Sequence, residues 1–352
     1  MSHDIFDFVI PLYRIRWNTR AVLEGISSHY KPRAIHVIAP ASEAKSLAEL
    51  SQSWHTAPVY TYEEETFFQT VGLTKDAICA ELDLRESLYT PGWFYQQLLK
   101  LGAFEGIENL SEWYVVWDSD LLPVDTWQLL HQDGDAIKRS FALLQHKNWG
   151  NPTIVAKWER WINYILGVEA IIDGEGTFIP HHIWFKQEHL KSFTEKVNQY
   201  YQSTDHWLRL MMRSANEFGT FSEYWSYVSW VANRAPEDLS FHPYQEYGAR
   251  TERFFDDGTG LFFGALKETL LESSLESSSH SNNFPTYAEI DFFIRSEYEP
   301  HELPSSLSFE SSPRHLQKNE ENMHIEEIRS RWNPRNVRMS SRSLDNNPSA
   351  VN

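Results

Sequence analysis

Cysteine is almost absent from this chain. Cys79 stands alone among 352 residues. An intrachain disulfide is therefore excluded, and a cysteine-based zinc site lacks its ligands. Positive charge is also scarce: 31 Lys and Arg face 49 Asp and Glu, a formal net charge of −18. That balance argues against a general nucleic-acid binder, which needs a basic footprint. It leaves room for a phosphate ligand held by a metal or by a few local cations. Long apolar runs are missing too. No window approaches the roughly 18 apolar residues that mark a membrane-crossing helix. Residues 1–15 lack the basic and apolar regions of a signal peptide. The chain thus reads as soluble and intracellular, a cytoplasmic protein. It shows no internal repeat.

What is abundant is aromatic and apolar surface. The chain is 41% hydrophobic, with 14 Trp, 16 Tyr and 21 Phe. Most of those rings are expected to build a core, and some suit a cleft for stacking sugars or bases. The order of patterns points to an α/β fold. Ile5–Leu12 reads as a strand, Asn18 caps a helix, and Ala34–Ala39 is a second strand stopped by Pro40. Another helix follows, then a short strand over 58–62. Strand, helix, strand, helix, strand is the signature of a parallel sheet with helices on its faces. Further on, helices are expected after Asn151-Pro152, over 187–201 and 204–213, and after Ser222. Leu239–His242 is a last strand. Phe254–Phe263 reads as a hairpin around Asp257-Gly258. From residue 268 the composition turns polar and Ser-rich. Such a stretch buries too little to offset chain entropy. It is expected to be a largely disordered tail, with one docked piece at Tyr287–Ile294.

The chemistry centres on Trp113–Trp117, an unbroken run of strand-formers that ends in Asp118-Ser119-Asp120. In open α/β sheets, ligands bind outside the C-terminal tips of the strands. Two carboxylates at such a tip suit a hard cation, Mg²⁺ or Mn²⁺, that recruits phosphate oxygens. Asp-x-Asp alone is a common turn or cap; after a fully apolar strand it is more specific. The preceding helix, from Gly92, places Gln97 and Lys100 on one face with Trp93. By residue type alone these two would be solvated. His181 and His182 adjoin at another strand end, where alternation turns one inward and one outward.

Five pieces carry a resemblance: FVIPLYR (8–14), GWFYQQLLKL (92–101), VVWDSD (115–120), PHHIWF (180–185) and SEYWSY (222–227). Together, in this order, they resemble the GT-A class of nucleotide-sugar glycosyltransferases, and within it a poorly characterised branch. Two departures are Trp117, where the class often has a small or aliphatic residue, and the long tail. The resemblance implies a GT-A-like, Rossmann-type, mostly parallel sheet flanked by helices, with a helical acceptor-side half. It implies a domain over 1–267, with a nucleotide-binding half over 1–120 and an acceptor half over 121–267, ahead of the tail that composition sets at 268–352. It also implies a nucleotide-diphosphate sugar donor, a UDP- or GDP-sugar, and a glycan, lipid or protein acceptor. By position, Asp120 becomes the main metal ligand and Asp118 its partner at the donor, with His242 a third ligand supplied late in the fold. Arg14, Gln97 and Lys100 face the donor. His182 and Trp184 lie on the acceptor side, with His182 favoured over His181. Glu223 is the expected general base, since an inverting transfer needs a carboxylate for the acceptor's proton. Its bland alternative is a favourable charge in a first helical turn.

Three rivals stand beside this reading. A phosphatase of the haloacid dehalogenase kind also uses Asp-x-Asp after an apolar strand, but normally on its first strand. A nucleotidyltransferase would carry a Gly-rich loop after its first strand, and Leu12–Trp17 contains no glycine. A catalytically inactive GT-A-like binding scaffold would keep the fold and lose the chemistry, yet both Asp residues and Glu223 are present.

Overall fold

The computed structural model describes residues 5–83, 89–145, 152–171, 176–177, 181–243, 251–254, 256–272, 284–298 and 303–309. In chain order the elements begin with β1 (Asp7–Pro11), α1 (Thr19–Tyr30), β2 (Ile35–Ala39), α2 (Ala41–Leu50), β3 (Val59–Glu63), α3 (Lys75–Cys79), α4 (Pro91–Leu101), α5 (Ala103–Gly106) and β4 (Trp113–Trp117). There follow β5 (Leu121–Pro123), β6 (Leu130–Asp133), β7 (Ala136–Gln145), α6 (Pro152–Trp161), β8 (Gly176–Thr177), β9 (His182–Lys186), α7 (Gln187–Tyr201), α8 (Trp207–Phe218) and α9 (Glu223–Ala232). The last are β10 (Leu239–Pro243), β11 (Thr251–Phe254), α10 (Asp256–Glu272), α11 (Tyr287–Glu297) and β12 (Ser306–Phe309). The described residues divide into two compact units, one drawn from 1–16, 26–119 and 126–249, the other from 17–25, 120–125 and 250–352.

The first unit is α/β. Its five-stranded sheet has the order β3-β2-β1-β4-β9. β1 pairs in parallel with β2 and β4, and β2 with β3. Only β9 runs the other way, antiparallel to β4. The mostly parallel sheet expected from the alternating pattern is therefore formed. Its inner strands are apolar on both faces, and Phe8, Val9, Ile35, Val37, Val115 and Val116 are all buried. That is what a parallel strand covered on both sides requires. α2 packs on β2 and β3, α4 on β1, and α7 on β9. Beyond β4, α6, α7, α8 and α9 pack on one another, beside a small sheet in the order β10-β7-β6. β6 and β7 form a hairpin in which Asp133 faces Ala136.

The second unit has a three-stranded sheet, β11-β12-β5. Leu307 of β12 faces Leu122 of β5. Trp17, Phe262, Phe263, Phe293 and Phe309 form a connected ring cluster. The hairpin expected at Phe254–Phe263 is a helix instead, α10. Phe262, Ala265 and Leu266 are buried at helical spacing. Burying that stripe outweighs the local turn preference of one Asp-Gly pair. The docked piece expected at Tyr287–Ile294 is α11. A capping box opens it, Thr286 with Glu289. Its Tyr287 backbone N–H donates to Glu24 Oε2 at 2.8 Å. Gly25 permits this docking: a Cβ there would lie 2.9 Å from the Tyr287 ring. So α11 and β12 fall inside 268–352, where composition pointed to a disordered tail. Residues 273–283, 299–302 and 310–352 lie outside those described. Among the described residues, no helix is long and apolar enough to cross a membrane.

Candidate functional site

β4 delivers Asp118 to the C-terminal edge of the parallel strands. β9 enters the sheet at that edge, with Trp117 facing His182. This register sets the residue before His182 level with the residue after Trp117. The Asp118 backbone N–H donates to the His181 carbonyl at 2.9 Å. His181 has a left-handed backbone, φ 64, a conformation uncommon outside glycine. Its Nδ1 lies 3.1 Å from Asp118 Oδ2.

Two helix starts bring in the remaining side chains. Thr90 caps α4, accepting from the Trp93 backbone N–H, and Pro91 follows at the first helical position. Pro suits that position because its missing N–H would be unsatisfied anyway. Two turns on, Gln97 and Lys100 point inward and are buried. Ser222 caps α9, accepting from the Trp225 backbone N–H, and leaves Glu223 as its first residue. The Glu223 backbone N–H donates to Gln97 Oε1 at 3.1 Å. Lys100 Nζ lies 2.7 Å from Asp118 Oδ1 and 2.7 Å from Glu223 Oε1. It also lies 4.4 Å from the centre of the Tyr224 ring. The Tyr224 hydroxyl donates to Asp118 Oδ1 at 2.9 Å.

These contacts set the charges. Burial pulls against the charged form of Lys100, but the Asp118 and Glu223 carboxylates outweigh it and hold its pKa well above the ordinary value. Burial pulls equally against ionised Asp118, yet Lys100 and His181 hold its carboxyl well below the usual carboxylate range. Burial, reinforced by the Asp118 charge, pushes the Tyr224 phenol far up. Asp118 therefore stays an anion, Lys100 a cation and Tyr224 a neutral donor across the physiological range.

Among the described residues, Asp118, Asp120 and His181 make the one group able to hold a metal ion, with ligand atoms within 4.8 Å of one another. Asp118 and Asp120 are two residues apart in the chain, so local backbone keeps them near each other. Two carboxylates and an imidazole fit a divalent cation such as Mn²⁺ or Mg²⁺.

The structure thus gathers Gln97, Lys100, Asp118 and Glu223 in one place. Asp120, the other carboxylate expected at the tip, is in the Asp118–His181 group; the remaining sequence candidates are not in it. Arg14 is exposed just past the C-terminal end of β1. His182 is buried between the rings of Trp117 and Trp127. Trp184 is buried too, its indole N–H donating to the Leu129 carbonyl at 2.7 Å. Neither presents surface to an acceptor in this conformation. His242 is outside the Asp118 group; its Nε2 is 2.7 Å from Ser240 Oγ. Two residues were passed over in the sequence, His181 and Tyr224. The antiparallel pairing of β9 with β4 is the signal that would have found His181, since it sets the first histidine rather than the second opposite Asp118.

Some solved structures are similar in outline. Mouse xyloside xylosyltransferase 1, in its apo form, is 8% identical with a TM-score of 0.39, over 71% of this chain and 87% of that one. PaToxG glycosyltransferase is 11% identical with a TM-score of 0.35, over 85% and 86%. The 4-diphosphocytidyl-2C-methyl-D-erythritol synthase of Anaerococcus prevotii is 8% identical with a TM-score of 0.28, over 58% and 87%. All three scores are too low to assign fold or chemistry by likeness. No curated protein matches the chain. A family model does match, over residues 18–253, and the chain belongs to that family, the family of unknown function DUF6492.

Proposed function

We propose that this chain is a metal-assisted glycosyltransferase of GT-A-like build, moving a sugar from a nucleotide-diphosphate donor to a hydroxyl acceptor. The observation that carries the reading is the convergence at the tip of β4. An ionised Asp118 lies there beside His181 and Asp120, backed by Lys100 and Glu223. In this reading Asp118, Asp120 and His181 hold the cation. A bound Mn²⁺ or Mg²⁺ supplies charge stabilisation for a departing diphosphate. Arg14, exposed at the same edge as the Asp118 tip, approaches the donor phosphates. Lys100 holds both carboxylates from behind, and Gln97 fixes the Glu223 backbone. One oxygen of Glu223 is bound by Lys100; the other is assigned to take the acceptor's proton. His182 and Trp184 shape β9 from within. The donor is a UDP- or GDP-sugar, and the acceptor a glycan, lipid or protein hydroxyl.

A second reading, an inactive scaffold of the same fold, is favoured by one observation. Lys100 already occupies an oxygen on each of the two carboxylates that transfer would use. A thermal-shift screen of UDP-, GDP- and ADP-sugars tests the reading, with and without Mn²⁺, on wild type and Asp120→Ala. A ligand that binds the native state alone raises its melting temperature by mass action. The expected result is a shift for one nucleotide class that requires Mn²⁺ and is lost in the variant. No shift with any nucleotide, from a folded wild type, would sink it.

A further inference from the structure

Three charged side chains meet beside His181: Lys100 and Glu223, both buried, and the partly buried Asp118. A buried ion pair is weak evidence of stability, because apolar residues of the same volume often do as well. The geometry is also unequal between the two oxygens of Asp118. Oδ1 takes both the Lys100 ammonium and the Tyr224 hydroxyl. Oδ2 faces His181 Nδ1. The lysine is further fixed by the Tyr224 ring face and by Glu223, whose own backbone N–H is tied to Gln97. These contacts to Lys100 come from Asp118, just after β4, and from the start of α9, all within the first unit.

We propose that Lys100 is a resident cation that apportions the two carboxylates. With Tyr224 it holds Asp118 Oδ1 inward, so that Oδ2 is the one oxygen offered to a divalent ion beside His181. By pairing with Glu223 it keeps that carboxylate out of the ion's ligand set. Lys100 is thus a positioning residue for the metal-holding group, and the inference rests on the metal reading proposed above. Its cost is affinity: a fixed positive charge a few ångströms from the ion weakens cation binding. Removing it leaves two uncompensated carboxylates facing the ion. Removing the Glu223 charge does the opposite, because the lysine is then balanced by Asp118 alone.

The test is Mn²⁺ titration followed by electron paramagnetic resonance of the free ion. It uses the full chain as wild type, Lys100→Met, Glu223→Gln, Asp120→Ala and the double variant of Lys100→Met with Glu223→Gln. Lys100→Met is expected to bind Mn²⁺ at least about tenfold more tightly than wild type, and Glu223→Gln about threefold or more weakly. The double variant should lose most of the gain. A merely structural role would loosen the site and weaken binding in both single variants. A folded Lys100→Met that binds no more tightly than wild type overturns the inference. If Lys100→Met does not fold, Glu223→Gln decides, and unchanged or tighter binding there overturns it. Wild-type binding that is lost in Asp120→Ala, without the Lys100 effect, leaves the metal reading standing and removes this inference alone. Absence of Mn²⁺ binding in wild type and in all variants removes both.

Discussion

Asp7 shows how one residue makes the fold dependent on pH. It opens β1, at the end of the strand away from the Asp118 edge, and is fully buried. Arg33 Nε donates to its Oδ1 at 2.8 Å, and the Ser111 backbone N–H donates to its Oδ2 at 2.9 Å. Burial alone would raise its pKa. His36, Arg33 and Ser111 together outweigh burial and hold the carboxyl well below the usual range. The unfolded chain titrates near the ordinary value of about 3.9. A depressed folded pKa therefore contributes stability above that value, and the contribution is lost as pH falls toward the folded pKa. Asp7→Asn should cost about 1–3 kcal/mol at about pH 7, as expected for hydrogen bonds to a charged group. The gap from wild type should narrow below about pH 4. Urea unfolding at about pH 7 and about pH 3 measures it; an equal gap at both would assign the depression elsewhere.

At the scale of elements, the end of α4 depends on close packing more than on propensity. Gly102 follows Leu101 with φ −96, a backbone that alanine adopts freely. Alanine is the better helix former by about 1 kcal/mol. Yet a Cβ at Gly102 would lie 2.6 Å from Phe68 Cε1 and 3.0 Å from the Leu98 carbonyl oxygen. Gly102→Ala is therefore expected to destabilise, by about 1–3 kcal/mol, as overpacked cores do. Phe68→Leu, which costs stability by itself, should cost less in the Gly102→Ala background. Chemical denaturation of the four proteins in that cycle checks the sign. A stabilised Gly102→Ala would mean that Phe68 yields easily. The same helix shows what was readable beforehand. The helix was expected from Gly92, just inside its Thr90 cap and Pro91 start, and i,i+3 spacing placed Gln97 and Lys100 together. Residue type suggested solvent for both, and only packing against α9 buried them.

For the molecule as a whole, the second unit takes elements from distant parts of the chain. β12 is the middle strand between β11 and β5, which are more than a hundred residues apart. α11 adds the buried Ile290, Phe293 and Ile294. A chain truncated after residue 283 loses both elements and leaves two strand edges and the Leu122 face unpaired. Unpaired edges with apolar faces promote association. The truncated protein should melt at a lower temperature than the full chain and aggregate more at equal concentration. Calorimetry with light scattering would show it; an unchanged melting profile would mean that β5 and β11 need no partner.

The sequence by itself determined what depends on near neighbours: the alternating strands and helices of the first half, the cap at Ser222, the apolar strand ending in Asp118, and α11 as a docked segment. Each rests on a period or a cap that spans only a few residues. Tertiary structure decided what depends on register between distant strands. The order β3-β2-β1-β4-β9 and the antiparallel entry of β9 set His181, rather than His182, against Asp118. The packing of α9 on α4 placed Lys100 between two carboxylates that lie 105 positions apart in number, Asp118 and Glu223. Burial of its apolar stripe made α10 a helix where an Asp-Gly pair suggested a turn. These outcomes turn on burial and on charge pairing across the fold, and no local pattern carries that information.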